Sequence, residues 1–279
     1  MRRPGTTCVT TASPNDSGTL VCGRTFSASE RYHAHSNISS KAQSGIELVI
    51  FPGESRRDDG TFMGTIYVLG ANGEHYPMAG GPRKKHKDRG GHSAGPTPAG
   101  HYILDYAEHH TSGGWPASVI PWGAPLREAG KEVEYYADGH WIPATGPNGR
   151  VVAAARAFVA RDHRKFSHAE LDAAVRSEYL YTGPNNSLPK EYRLNDFGKW
   201  SWNLKKHGRR TVYYIHTTPA NEDQQAARES GQAASLVLEQ SHGCIHILPS
   251  DRDEMMRKGF LFHGRRVEIR SYREWKPVK

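Results

Sequence analysis

The stretch Ser241-His242-Gly243-Cys244-Ile245-His246 carries the densest chemistry in the chain. A thiol is a strong nucleophile as the thiolate, and a neighbouring imidazole can take its proton near neutral pH. In an extended segment, residues two apart project from the same face. His242 and Cys244 can therefore meet without help from distant parts of the chain. This pattern assigns Cys244 as nucleophile and His242 as its base. Gly243 lets a substrate approach the backbone closely, and the amides around Gly243 and Cys244 are candidate oxyanion donors. The bland reading of the same residues is a small buried thiol with a histidine nearby by chance.

Composition narrows the setting for that chemistry. The only other cysteines are Cys8 and Cys22, which could close a small loop and leave Cys244 over. The formal charge of +8 draws the chain to polyanions: nucleic acid, anionic membrane surfaces or bacterial wall polymers. Basic runs stand at Arg83-Lys84-Lys85-His86-Lys87 and at Lys205-Lys206-His207-Gly208-Arg209-Arg210. Neither lies in a nucleic-acid motif, so no nucleic-acid partner is expected, and each reads by default as a solvated face. The 16 histidines include His33-Ala34-His35 and His109-His110, but no HExxH or CxxC spacing accompanies them. Zinc catalysis is therefore the weaker alternative, and neither metal nor cofactor is expected. No run of roughly 18 apolar residues predicts a membrane span.

The elements that must position the site are mostly strands. Residues 1–44 are polar and lack periodicity, which predicts an irregular N-terminal arm ahead of one domain over 45–279. Glu47–Phe51, Thr65–Leu69 and Tyr76–Ala79 read as strands, with Asn72-Gly73 as a hairpin turn. His101–Tyr106, Thr211–His216 and Arg266–Ile269 read as further strands. Between them, about 125–205 reads as a helical insertion. Val151–Ala160 is Ala-rich, and Ser167 with Glu170 forms a capping box ahead of a helix to about Tyr179. Thr218-Pro219 predicts a capped helix start, and Ser250 a cap for a short helix over Asp251–Lys258. The fold class expected is β-rich α+β, a mixed β-sandwich or barrel with a helical insertion.

Ser241-His242-Gly243-Cys244-Ile245 resembles the SHGC signature of the L,D-transpeptidases, the YkuD-like domains. Thr97-Pro98-Ala99-Gly100-His101-Tyr102-Ile103-Leu104 resembles their Thr-Pro-x-Gly stretch. Tyr214-Ile215-His216-Thr217-Thr218 resembles the strand leading to their upstream histidine, and Gly264–Ile269 their last strand. The order of these elements matches as well. The resemblance implies attack of Cys244 on a peptidoglycan tetrapeptide stem, loss of D-Ala, and an acyl-thioester. A stem amine, a free D-amino acid or water would resolve it, giving cross-linking, exchange or L,D-carboxypeptidase activity. His242 would move the proton, and a backbone carbonyl would orient it. His216, Ser241, Gly243 and His246 would serve substrate binding or the oxyanion.

The sequence departs from that pattern in three places. His246 stands where arginine is usual, Thr217 where glycine is usual, and more than a hundred residues separate the Thr-Pro-x-Gly stretch from His216. A noncatalytic murein-binding module of the same fold is the alternative reading. The start of the chain lacks an apolar signal stretch after Arg2-Arg3. Together with the insertion, this raises the expectation of an antibacterial effector that acts in the periplasm. Its further partners would then be a specialised secretion apparatus and an immunity protein.

Overall fold

The computed structural model describes residues 8–9, 21–22, 45–58, 61–87, 93–160 and 165–274. Within residues 1–44, Cys8–Val9 (β1) and Val21–Cys22 (β2) pair antiparallel, with Cys8 opposite Cys22. Side-chain pairing of these cysteines and the His33-Ala34-His35 run lie outside the described residues.

From residue 45 onward, alternating burial builds a closed barrel. Its strands are Glu47–Arg56 (β3), Phe62–Leu69 (β4), His75–Ala79 (β5), Gly100–Glu108 (β8), Ser201–Lys206 (β12), Arg209–His216 (β13), Ile245–His246 (β14) and Arg266–Ile269 (β15). Two short strands, His86–Lys87 (β6) and Ser93–Ala94 (β7), form a separate hairpin. Around the barrel the order is β12-β13-β14-β5-β4-β3-β15-β8. The sheet is mixed: β14 runs parallel to β13 and β15 parallel to β3, while the other pairs are antiparallel. Inward residues fill the barrel, among them Leu48, Ile66, Trp202, Leu204, Ile215 and Ile245. Each large apolar side chain buried this way is worth roughly 1.5–3 kcal/mol.

Local signals account for much of this. Asn72 and Gly73 take positive φ in the hairpin between β4 and β5, the turn that an Asn-Gly pair favours. β3 runs past Pro52-Gly53, where the sequence predicts its end, by means of a register shift between Phe51 and Ser55. Such an irregularity lets a strand absorb a proline without losing its partner.

Between β8 and β12 lies the insertion, which carries helices Arg150–Ala160 (α1) and His168–Val175 (α2). The Ser167–Glu170 capping box forms as the sequence predicts. Beyond helices, the insertion holds a three-stranded antiparallel sheet, Leu126–Ala129 (β9), Glu132–Ala137 (β10) and His140–Pro143 (β11). It has its own core, with Val133, Val151, Leu171, Leu180 and Tyr192 buried together. Its limits differ from the expected 125–205. The chain leaves the barrel after Glu108 and rejoins it at Ser201, so β12 belongs to the barrel. In β12 the polar Asn203 is fully buried because its amide bonds the Thr211 and Tyr213 carbonyls. That polar core residue hides the strand from a hydrophobicity pattern.

Two helices flank the site. Pro219–Glu229 (α3) is capped by Thr218, whose hydroxyl accepts from the Asn221 amide. Pro249–Arg257 (α4) starts two residues earlier than a Ser250 cap would place it, with Leu248 at the cap position. Pro249 occupies the first turn, where its fixed φ suits a helix and its missing N–H costs nothing. Among the described residues no helix is long and apolar enough to cross a membrane.

Candidate active site

The site forms where β13 and β14 run side by side. Parallel pairing sets Ile215 beside Ile245 and His216 beside His246. Cys244 therefore enters next to Tyr214, one residue before β14. Its Sγ lies 3.9 Å from the Val212 carbonyl, and the Tyr214 backbone N–H faces the sulfur. Burial pushes the thiol up to about 11, and the Tyr214 amide only partly opposes this.

The turn before Cys244 is held from within. Ser241 Oγ donates to the Cys244 carbonyl at 2.5 Å and accepts from the Gly243 amide at 3.0 Å. The Gly243 amide is thus engaged, which removes it from the oxyanion role expected of it. Gly243 has φ +141°, a conformation L residues rarely adopt, and a Cβ there would lie 3.0 Å from the Tyr213 ring. The glycine is required by this geometry.

A second clamp holds the loop from outside. Thr97 Oγ1 accepts from the Gly81 amide and donates to the Cys244 carbonyl, at 3.3 and 3.4 Å. Tyr272 donates to the Gly81 carbonyl at 2.7 Å, and its hydroxyl accepts from the Thr97 amide at 3.2 Å. Gly81 has no spare room: a Cβ there would sit 2.0 Å from the Gly95 carbonyl oxygen and 2.9 Å from Gly243 Cα. Gly95 in turn donates to the His242 carbonyl at 3.1 Å. Thr97 stands within the Thr-Pro-x-Gly stretch without an assigned role, and Tyr272 follows the last strand with no motif to mark it.

The three histidines differ sharply. His242 is exposed and lies within electrostatic range of Asp196 and His246. His216 is buried at the end of β13 and donates from Nδ1 to the Thr217 carbonyl at 2.6 Å. His246 is buried too and donates from Nδ1 to the Glu239 carbonyl at 2.8 Å. A carbonyl can only accept, so Nδ1 carries the proton in both rings and Nε2 is left as an acceptor. The two rings meet edge to face at 4.6 Å. Burial lowers both, His246 to about 4 and His216 well below the ordinary imidazole value, with His246 adding to the effect on His216. His246 is therefore a neutral structural neighbour of His216 and no substitute for a cation.

The insertion contributes directly. Its return segment sets Phe197 against the His216 ring at 4.8 Å and against Tyr214 at 5.1 Å. Asp196, beside it, accepts from Ser118 Oγ at 3.2 Å, and burial raises its carboxyl to about 6. Thr217 also finds its reason here. Its hydroxyl donates to Glu222 at 2.5 Å, and Glu222 pairs with the buried Arg252 of α4. None of Asp196, Phe197, Glu222 or Arg252 is announced by a sequence motif, because each reaches the site only through the fold.

Fold and site together define a β-barrel domain with a thiol and an imidazole on one short, doubly clamped loop. The family model of the YkuD L,D-transpeptidase catalytic domain matches residues 57–258, and the chain belongs to that family. The family's activity is on peptidoglycan, in the cell wall. A search of curated proteins returned no match, and a search of solved structures returned none.

Proposed function

We propose that this protein is a Cys244-dependent acyl transferase acting on peptidoglycan tetrapeptide stems. The observation that carries the reading is the loop from Ser241 to Cys244. Two independent polar clamps, one from Ser241 and one from Thr97 with Tyr272, fix a cysteine beside strand β13. A structural thiol needs no such scaffold. Cys244 attacks the carbonyl before the terminal D-Ala, and the thiol proton passes to His242. His242 then protonates the departing amine, leaving an acyl-thioester for an amine or water to resolve. Because the resting thiol is neutral, His242 acts as a base during attack and not as the partner of a standing ion pair. His216 lines the site through its Nε2 acceptor, and the Cys244 amide is the remaining candidate oxyanion donor on the loop.

The test is to incubate wild type and Cys244→Ala with tetrapeptide muropeptides, with and without free D-amino acid, and to read products by mass spectrometry. Cys244-dependent loss of D-Ala is expected. Linked dimers, swapped termini or tripeptides would identify the acceptor. Identical products from both proteins would overturn the reading and favour a murein-binding module.

A further inference from the structure

The basic run Arg83-Lys84-Lys85-His86-Lys87, a solvated face by default, is attached to the nucleophile loop. Its five side chains are all exposed. The run forms the first arm of the β6–β7 hairpin, in which His86 pairs with Ala94 and Lys87 with Ser93. Both ends of this hairpin are pinned at the site. Gly81 packs on Gly243 with no room for a Cβ, and Gly95 donates its amide to the His242 carbonyl. Continuing the hairpin register sets Lys85 across from Gly95. A Cβ on Gly95 would lie 3.2 Å from Lys85 Cγ, so the lysine stem crosses directly over that glycine. The ammonium can reach roughly 4 Å beyond Cγ on its flexible stem. Among the described residues, no carboxylate pairs with Arg83, Lys84, Lys85 or Lys87.

On the loop around Cys244, His246 is buried and neutral and offers no fixed cation, and His242 is committed to the thiol proton in the proposed reaction. The proposed substrate nonetheless carries a fixed negative charge at its end. The scissile carbonyl is joined to the terminal residue, whose free carboxylate lies one residue beyond the bond that breaks. Whatever reads that carboxylate must stand within a residue's length of Cys244. The geometry points to the arm Arg83–Lys87, with Lys85 foremost, as the clamp for the terminal carboxylate of the donor peptide. Lys85 is thus a specificity-determining residue, and the enzyme reads a free chain end and not an internal peptide bond. The inference rests on the proposed stem-peptide activity.

The test compares a tetrapeptide stem with its C-terminal amide. Turnover is measured on wild type, Lys85→Gln, Lys85→Arg and the remote control Arg266→Gln. Wild type is expected to favour the acid by about tenfold or more in kcat/KM at low salt, and less at high salt. Lys85→Gln should lose most of that preference through KM with kcat nearly kept, while Lys85→Arg and Arg266→Gln should keep it. The same acid-to-amide ratio is then read as Kd on Cys244→Ala. Acid preference in binding without any turnover in wild type would refute the proposed activity and uphold the clamp. Turnover with no acid preference, or with a preference that survives in Lys85→Gln, would refute the clamp and uphold the activity.

Discussion

The resting state of Cys244 makes the sharpest prediction. Its thiol is pushed up to about 11 from an ordinary 9.0, chiefly by burial, with only the Tyr214 amide to favour the anion. Two units correspond to about 3 kcal/mol against ionisation. At pH 7, about one thiol in 10⁴ is then ionised, against about one in 10² for an ordinary thiol. The assay is alkylation by iodoacetamide across pH 6 to 10.5, followed by mass spectrometry of the Cys244 peptide. The rate should climb about tenfold per pH unit, with no plateau below about pH 10. His242→Ala should leave that profile within about threefold while abolishing Cys244-dependent turnover, because the imidazole works only when substrate is being attacked. A plateau in alkylation at pH 6–7 that vanishes in His242→Ala would mean a standing thiolate–imidazolium pair and would refute the reasoning.

Three further predictions concern the frame of the site. His216 and His246 are held neutral when folded, so between pH 6.5 and about 4 the unfolded chain binds more protons and stability falls as pH falls. Denaturant unfolding should show a slope of up to about 1.4 kcal/mol per pH unit from each ring, and His246→Gln should remove one share; an unchanged slope would count against the buried neutral pair. Arg252→Met strands the Glu222 carboxylate and should cost about 3–5 kcal/mol, partly recovered by adding Glu222→Gln, whereas a loss under about 1 kcal/mol would contradict the network. Gly81→Ala should cost about 1–3 kcal/mol and most of the activity, because its Cβ meets backbone of the Gly95 loop. Gly113→Ala, which meets nothing within 4 Å, should behave as wild type in the same thermal and turnover assays.

What could be read from the sequence was what is encoded within a few residues. The Asn72-Gly73 turn, the Ser167–Glu170 box and the Thr218 cap are local bargains between a side chain and nearby backbone, and all three stand in the fold. The strand ending in His216 and the SHGC loop were visible for the same reason. β12 was not, because the buried Asn203 interrupts its apolar run and satisfies itself on β13, a partner unknown until the strands pair. The sheet β9–β11 was absorbed into a helical reading because Ala-rich segments on its C-terminal side dominate the pattern. Gly243 illustrates the limit at the site. Its type promised an open backbone, yet its amide is taken by Ser241, a fact set by dihedral angles and not by residue identity. Tyr272 and Phe197 reach the site across long stretches of chain and leave no spacing to detect.

The junction of the insertion has one more consequence. Glu108 and Ser201, its two flanking residues, are register partners on neighbouring strands. A short turn joining β8 to β12 would leave every stave of the barrel in place, so the whole segment is a graft on a hairpin, removable in principle without disturbing its host. The graft nevertheless returns Phe197 to His216. A chain pruned at this junction should therefore still close its barrel but present a mouth missing one wall. The barrel and one wall of its mouth are thus carried by separable stretches of one polypeptide.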